Sequence, residues 1–320
     1  MKKIAVMTSG GDCPGMNAAI RSVVRTGLAN GIEVFGIEQG YKGLIEGKIT
    51  SLTSRDVSNT IQRGGTFLRS ARCLEFKTEA GQKQALDQME KLGIDGLVVI
   101  GGDGSLTGAR ILHEKYGVKI IGMPGSIDND IYGTSTSIGV DTALNNIAHA
   151  IDMINETASS HDRTFLIEVM GRNCGYLALM SAIACGAEAV IIPEVKYNLE
   201  HIIDKIKKRY EQGKSRSIVV VAEGAGSAYD FGKAFQLIGG FDTRITVLGH
   251  LQRGGSPTVF DRLLATRMGA AAVEGLLEGK TGSMTALTGR DISLVDFDVV
   301  LSQRRELDTK LLNIAEDLSL

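Results

Sequence analysis

Short apolar runs of four or five residues recur along the whole chain, separated by segments in which apolar positions follow a helical repeat. The runs at 4–7, 34–37, 97–100, 119–123, 164–168, 189–192, 218–222 and 244–248 are mostly continuous rather than alternating, and rich in Val and Ile. Such runs predict parallel strands buried on both faces. After the first run, Ala18, Ala19, Ile20, Val23 and Val24 make one apolar stripe; after Asp141, Leu144, Ile147, Ala148, Ile151 and Ile154 make another. Each stripe fits one face of an amphipathic helix. Strand–helix alternation of this kind predicts a doubly wound α/β fold, spread over two sheets given the number of strands.

With 320 residues the chain has room for one large domain or two lobes sharing a cleft. Hydrophobic residues at 43% and charged residues at 22% are those of a globular protein. A net charge of −2 argues against nucleic acid or an anionic membrane as partner. Any anionic ligand must then be held by local Arg and Lys side chains and backbone N–H groups. Glycine is in excess, 40 residues of 320 against a usual ~7%, and much of the excess follows the apolar runs. The cysteines Cys13, Cys73, Cys174 and Cys185 are scattered, which speaks against a zinc site or a disulfide framework and for reduced thiols. The first apolar run is too short for a signal peptide, and no stretch approaches the ~20 apolar residues of a membrane span. A cytoplasmic location is expected.

In open α/β sheets, ligands bind beyond the carboxyl ends of the strands, and four such regions here carry polar, glycine-rich sequence. Residues 8–12, Thr-Ser-Gly-Gly-Asp, let backbone approach a phosphate ahead of a helix N-terminus; a tight turn is the plain alternative. Residues 101–105, Gly-Gly-Asp-Gly-Ser, repeat the pattern and add Asp103, suited to Mg²⁺. Ser105 is also a natural helix N-cap, which leaves the glycines and the carboxylate unexplained. In residues 124–130, Pro-Gly-Ser-Ile-Asp-Asn-Asp, an extended backbone would point Asp128 and Asp130 to the same side. Phosphoryl transfer to a hydroxyl uses one carboxylate to accept the proton and another to place the metal; a solvated acidic turn is the alternative. Arg72, Arg163, Arg172, Arg244 and Arg253 offer forked donors for phosphate oxygens. His250 reads equally as a ligand or as a hydrogen-bonded core histidine.

The blocks TSGGDCPGMNAAIR, RGGTFLRSAR, VVIGGDGS, PGSIDND, SSHDRTFLIEVMGRNCG, IPE, VAEG and VLGHLQRGGSP together resemble the bacterial ATP-dependent 6-phosphofructokinase family, in its order and across nearly the whole chain. The resemblance implies two doubly wound lobes with the active site in the cleft between them. Residues 1–139 and 252–303 match the ATP lobe; 140–251 and 304–320 match the fructose 6-phosphate lobe. It implies Mg²⁺-dependent transfer of the ATP γ-phosphoryl to the sugar 1-hydroxyl, the committed step of glycolysis. Asp128 matches the proton acceptor, Asp130 its partner near metal and sugar, and Asp103 the magnesium-associated residue. Gly11, Arg72, Cys73, Gly102, Asp103, Gly104 and Ser105 match the ATP site, with Arg72 and Arg172 stabilising the transferring group. Ser126, Ile127, Asp128, Met170, Gly171, Arg172, Glu223, His250 and Arg253 match the sugar-phosphate site. Arg163 and Arg244 match residues that reach the 6-phosphate from a neighbouring subunit, which implies a homotetramer. Pyrophosphate-using relatives carry an acid at the position of Gly104 and a lysine at that of Gly125, so glycine at both favours ATP.

Arg21, Arg25, Gly186, Glu188, Lys214 and Arg216 match an effector site for ADP or phosphoenolpyruvate. Asn155 and Gln212 stand where cations are usual, and a blunted effector response is expected. Ser126, Arg69, Leu106, Ser135 and Tyr176 also depart from the usual pattern without removing a catalytic group. A related kinase for another acceptor, such as tagatose 6-phosphate, and a catalytically silent sugar-phosphate or nucleotide sensor are the other readings. No strand is followed by GxGxxG, which leaves a dehydrogenase unsupported.

Overall fold

The apolar runs form strands and the periodic segments form helices in the computed structural model, which describes residues 1–158, 163–213 and 216–318. The strands are β1 (Lys3–Ser9), β2 (Glu33–Ile37), β3 (Ile49–Leu52), β4 (Gly96–Gly101), β5 (Ile120–Pro124), β6 (Thr164–Val169), β7 (Ala189–Ile191), β8 (Ser217–Ala222), β9 (Thr243–Val247), β10 (Ser283–Thr288) and β11 (Asp291–Asp296). The helices are α1 (Met16–Ala29), α2 (Gly40–Glu46), α3 (Glu79–Leu92), α4 (Asp103–Tyr116), α5 (Val140–Ala158), α6 (Tyr176–Cys185), α7 (Leu199–Glu211), α8 (Ala228–Ala234), α9 (Val259–Leu277), α10 (Phe297–Val300) and α11 (Leu311–Leu318). Each expected strand is present, its ends displaced by no more than two residues.

Among the described residues the strands make two sheets. The larger has the order β11-β10-β5-β4-β1-β2-β3, parallel from β10 to β2 and antiparallel at both edges. The smaller, β7-β8-β6-β9, is parallel throughout. The strands that the apolar pattern did not announce lie at or next to the edges of the larger sheet. β3 exposes its two middle residues and β11 its two ends, with the residues between only partly buried, and β10 carries Ser283 and Thr285 at buried positions, so none of them forms a continuous apolar run.

The chain divides into two compact units. Met1–Thr142 with Arg253–Arg305 holds the larger sheet. In β1, Ala5 and Met7 join a core with Leu44, Phe76, Leu106, Leu112 and Phe297. Ile4 and Val6, on the other face, are equally buried, which is why the run is apolar without alternation. On that face α1 lies tightly against α9. A Cβ on Gly269 would sit 2.6 Å from Cβ of Ser22, and Ser22 Oγ donates to Thr266 O at 2.6 Å. Ala143–Gln252 with Glu306–Leu320 holds the smaller sheet. There Leu166, Val219 and Val221 pack with Ile203 and Ile206 of α7 and with Phe231, Phe235 and Phe241. Among the described residues no helix is long and apolar enough to cross a membrane.

Candidate active site

The first three glycine-rich loops leave β1, β4 and β5, which are neighbours at the centre of the larger sheet. The register sets Ser9 opposite Gly101 and Gly101 opposite Pro124, so the loops depart at one level. Gly10, at φ +88°, turns the first of them. Ser70 Oγ donates to Gly10 O at 2.6 Å and Thr8 Oγ1 to Arg69 O at 2.9 Å. These bonds stitch the segment leading to Arg72 and Cys73 onto the β1 loop; Arg72 is exposed and Cys73 half-buried. Gly11 has Arg253 above it: a Cβ there would lie 2.5 Å from Nη1 of Arg253, which donates to Asp12 O at 2.8 Å.

The second loop enters α4 directly. Gly102 is its N-cap residue, no side chain caps it, and Ser105 N and Leu106 N both donate to Gly102 O. Ser105 is therefore not the N-cap: it is a buried residue of the first turn, and Tyr41 OH donates to its carbonyl at 2.6 Å. Gly101 is glycine for packing reasons, since a Cβ would lie 2.4 Å from Ser9 O. Gly102 and Gly104 differ. A Cβ on either meets nothing within 4 Å, and neither adopts a positive φ. Nothing in the folded chain requires glycine at these two residues, so the space above them is available to a ligand. Gly125 is intermediate, with Met16 Cε 3.2 Å from its would-be Cβ.

The third loop is not extended as the sequence suggested. Asn129 sits at φ +54°, where its Oδ1 accepts from Ser137 N at 3.2 Å. Asn is among the residues that tolerate this conformation. Ile127 is buried and anchors the loop, while Asp128 N donates to Ser126 Oγ at 3.3 Å. Despite the turn, both acids are near enough for their charge to act on Asp103. Burial chiefly, then the charge of Asp130 and more weakly that of Asp128, push the Asp103 carboxyl above its ordinary value, with Arg304 opposing. Among the described residues no group of three or more His, Cys, Asp or Glu side chains is placed to cage a metal. Magnesium needs no such cage, being held by one or two carboxylates together with substrate phosphates. A half-buried Asp103 under the influence of like charges fits that role.

In the second unit, Met170, Gly171 and Arg172 follow β6, Glu223 follows β8 and His250 follows β9, all at carboxyl ends of adjacent strands. Glu223 N donates to Val169 O at 2.9 Å and Gly224 N to Gly171 O at 3.1 Å. Gln252 Oε1 accepts from Met170 N at 3.1 Å. Arg172, Glu223 and His250 are exposed, so His250 is not a core histidine. Arg163 and Arg244 lie elsewhere, before β6 and at the start of β9. At ~3.3 Å per extended residue, Arg163 lies roughly 23 Å from Met170, and Arg244, opposite Phe165, roughly 17 Å from it.

A phosphofructokinase family model matches residues 3–276. The chain belongs to the phosphofructokinase family. Two ATP-dependent 6-phosphofructokinases, from Thermotoga neapolitana and Halalkalibacterium halodurans, are each 53% identical to it, with 100% of both chains covered. The phosphofructokinase structure from Saccharomyces cerevisiae superposes with a TM-score of 0.88 at 38% identity. That match covers 100% of this chain, which spans 48% of the yeast chain. The pyrophosphate-dependent phosphofructokinase from Marinobacter aquaeolei shares the fold, with a TM-score of 0.86 at 22% identity, covering 97% of this chain and 86% of the other.

Several residues around this phosphofructokinase site escaped the sequence reading. Arg304 Nε lies 4.0 Å from Asp103 Oδ2, and Arg305 N donates to Asp130 O at 3.0 Å, so the 304–305 segment runs along the acidic loop. Asp261 is fully buried and accepts from Gly139 N, Thr142 N and Thr142 Oγ1 at 2.9, 2.8 and 2.6 Å. It ties the far end of the acidic loop to α9. Burial pushes its carboxyl up while these three donors oppose. Asn17 joins α1 to the segment at 63–67 through Arg63 O, Gly64 O and Phe67 N. Its place in CPGMN was the available signal; the Arg304–Arg305 pair in a polar tail offered none. Of the expected effector residues, Arg21 and Arg25 are a turn apart on α1. Burial and then the like charge of Arg25 pull the Arg21 guanidinium down. Gly186 ends α6 at φ +64°. Glu188 accepts from Ile218 N at 2.6 Å and Arg209 Nη2 at 2.9 Å, and Arg216 Nη1 donates to Asn155 O at 3.1 Å. Lys214 lies outside the described residues.

Proposed function

We propose that this phosphofructokinase transfers the γ-phosphoryl group of ATP to the 1-hydroxyl of fructose 6-phosphate, yielding fructose 1,6-bisphosphate and ADP in glycolysis. The observation that carries the reading is the open space over Gly102 and Gly104, beside an Asp103 whose carboxyl feels the charges of Asp130 and Asp128. A nucleotide phosphate fits where glycine is present without a packing or conformational reason. The sugar oxygen bonds to the γ-phosphorus as the bond to the ADP oxygen breaks, and the hydroxyl proton passes to the Asp128 carboxylate. Asp103, with Asp130 beside it, would hold Mg²⁺, which supplies positive charge to the phosphate oxygens. Arg72 and Arg172 stabilise the charge on the transferring group. Gly11, Cys73 and Ser105 complete the nucleotide site. Ser126, Ile127, Met170, Gly171, Glu223, His250 and Arg253 hold the sugar phosphate.

Of these, the nucleotide residues Gly11, Cys73, Asp103 and Ser105 belong to the Met1–Thr142 unit, and Met170, Gly171, Glu223 and His250, for the sugar phosphate, to the Ala143–Gln252 unit. Arg163 and Arg244, at the amino-terminal ends of β6 and β9, serve the site of a neighbouring subunit, in a cytoplasmic homotetramer. ADP or phosphoenolpyruvate binds at Arg21, Arg25, Gly186, Glu188, Lys214 and Arg216. Gly104, whose Cβ position is open, supports ATP over pyrophosphate more strongly than the partly packed Gly125 does. The test is a coupled assay for fructose 1,6-bisphosphate with Mg-ATP or Mg-pyrophosphate as donor. Turnover with ATP alone supports the reading; turnover with pyrophosphate alone overturns the donor, and none with either overturns the reaction.

A further inference from the structure

At the amino-terminal edge of the smaller sheet, two arginines converge on one carboxylate. Arg163 Nε donates to Asp242 Oδ2 at 3.0 Å, and Arg244 Nη1 donates to Asp242 Oδ1 and to Thr243 O. The backbone fixes the grouping. β6 and β9 are parallel neighbours with Thr164 opposite Thr243 and Phe165 opposite Arg244, and Thr164 N donates to Asp242 O at 3.1 Å. Arg163 and Asp242 therefore sit side by side just before their strands. The three side chains remain 31%, 49% and 46% exposed for Arg163, Asp242 and Arg244. Ion pairs so open to water contribute little to stability, so what the arrangement decides is where the guanidinium groups are held.

The atoms used are informative. Arg163 spends its Nε on Asp242, and Arg244 one terminal nitrogen. Both terminal nitrogens of Arg163, and Nε and Nη2 of Arg244, make no hydrogen bond to another described residue. Without the carboxylate, two like charges on long, mobile side chains would repel and separate. With it, they present their remaining forked donors together, at a net charge of plus one, to a dianion approaching from outside.

We propose that Asp242 is a positioning residue that holds Arg163 and Arg244 as a single fork for a phosphomonoester dianion. The inference rests on the reading of these arginines as ligands of the sugar 6-phosphate, and assigns the carboxylate that makes two separate arginines one site. The full-length enzyme is assayed for saturation by fructose 6-phosphate at fixed Mg-ATP, and titrated calorimetrically with fructose 6-phosphate in the absence of nucleotide. Asp242→Asn is expected to raise both the KM and the calorimetric Kd for fructose 6-phosphate about tenfold. The KM for ATP, kcat and the melting temperature should stay near those of the parent. Asp242→Glu should recover most of the affinity. Asp242→Ser repeats the test should the Asn variant not fold. An unchanged or lower KM in the folded Asn or Ser variant overturns the proposal, the lower value because the carboxylate would then be a competitor of the phosphate. Arg163→Ala and Arg244→Ala are the controls. If they leave the KM unmoved, the sugar-phosphate reading of the arginines fails; if they raise it and Asp242→Asn does not, only the role of Asp242 fails.

Discussion

A Cβ placed on Gly11 would lie 2.5 Å from Nη1 of Arg253, so the missing side chain at one residue seats the guanidinium at the other. The obstacle is the tip of a flexible side chain, whereas at Gly101 a Cβ would meet Ser9 O at 2.4 Å, which is backbone. Gly11→Ala is expected to leave the melting temperature nearly unchanged while the KM for fructose 6-phosphate rises about tenfold. Gly101→Ala should cost about 1–3 kcal/mol through overpacking. Thermal melts and saturation curves on the two variants test the contrast.

Gly102 and Gly104 should separate stability from function in the opposite sense. Neither has a neighbour within 4 Å of a would-be Cβ, and Gly104 lies in the first turn of α4, where alanine gains up to about 1 kcal/mol of helix propensity. Gly104→Ala is expected to melt at the same or a higher temperature and yet show an ATP KM raised about tenfold or more. An unaltered ATP KM in both variants would remove the argument for a nucleotide over this turn.

Asp103 should make the folded enzyme less stable as its charge develops. Its folded-state carboxyl titrates above the ordinary value, because burial and the charges of Asp130 and Asp128 outweigh Arg304. The protonated form is thus favoured by folding. The penalty is absent below the unfolded value of about 3.9 and complete once the pH exceeds the folded value. Asp103→Asn, though inactive, should melt above the parent at pH 7–8, and the gap should close towards pH 4. A gap independent of pH would show that charge is not its cause.

Asp128→Asn should lower turnover by about 10²–10⁴, the usual contribution of a positioned proton acceptor. Calorimetric binding of fructose 6-phosphate should persist. Loss of binding together with turnover would make Asp128 a ligand rather than a base.

Phosphoenolpyruvate is expected to shift fructose 6-phosphate saturation only weakly. Asn155 and Gln212 supply no charge, and each missing charge-assisted bond removes roughly 1.5–3 kcal/mol. Glu188 and Arg216 are moreover engaged within the chain, with Arg209 and with Asn155 O. Strong sigmoidality on adding phosphoenolpyruvate would contradict this.

The parallel strands β1, β2, β4 to β9 and the glycine-rich loops after them were determined by the sequence itself. Burial on both faces forces continuous Val- and Ile-rich runs, and the polar residues that follow such runs must lie at strand ends. The same local logic brought Asp103, Asp128 and Arg172 forward. It failed wherever a residue's partner is remote in sequence or its conformation is set by a neighbour. Asn129 turns a loop that composition alone left extended, and Ser105 lies inside a helix whose N-cap residue is Gly102, with no side-chain cap. β3 and β11 carry polar residues because sheet edges need only one covered face, whereas β10 lies inside the sheet and buries its Ser283 and Thr285. Arg304 meets Asp103 across 201 residues and Asp261 meets Thr142 across 119, distances over which no periodicity carries information. Only the tertiary structure decided that Gly101 is glycine for packing while Gly102 and Gly104 stand in open space, because that difference depends on which atoms the fold brings within 4 Å.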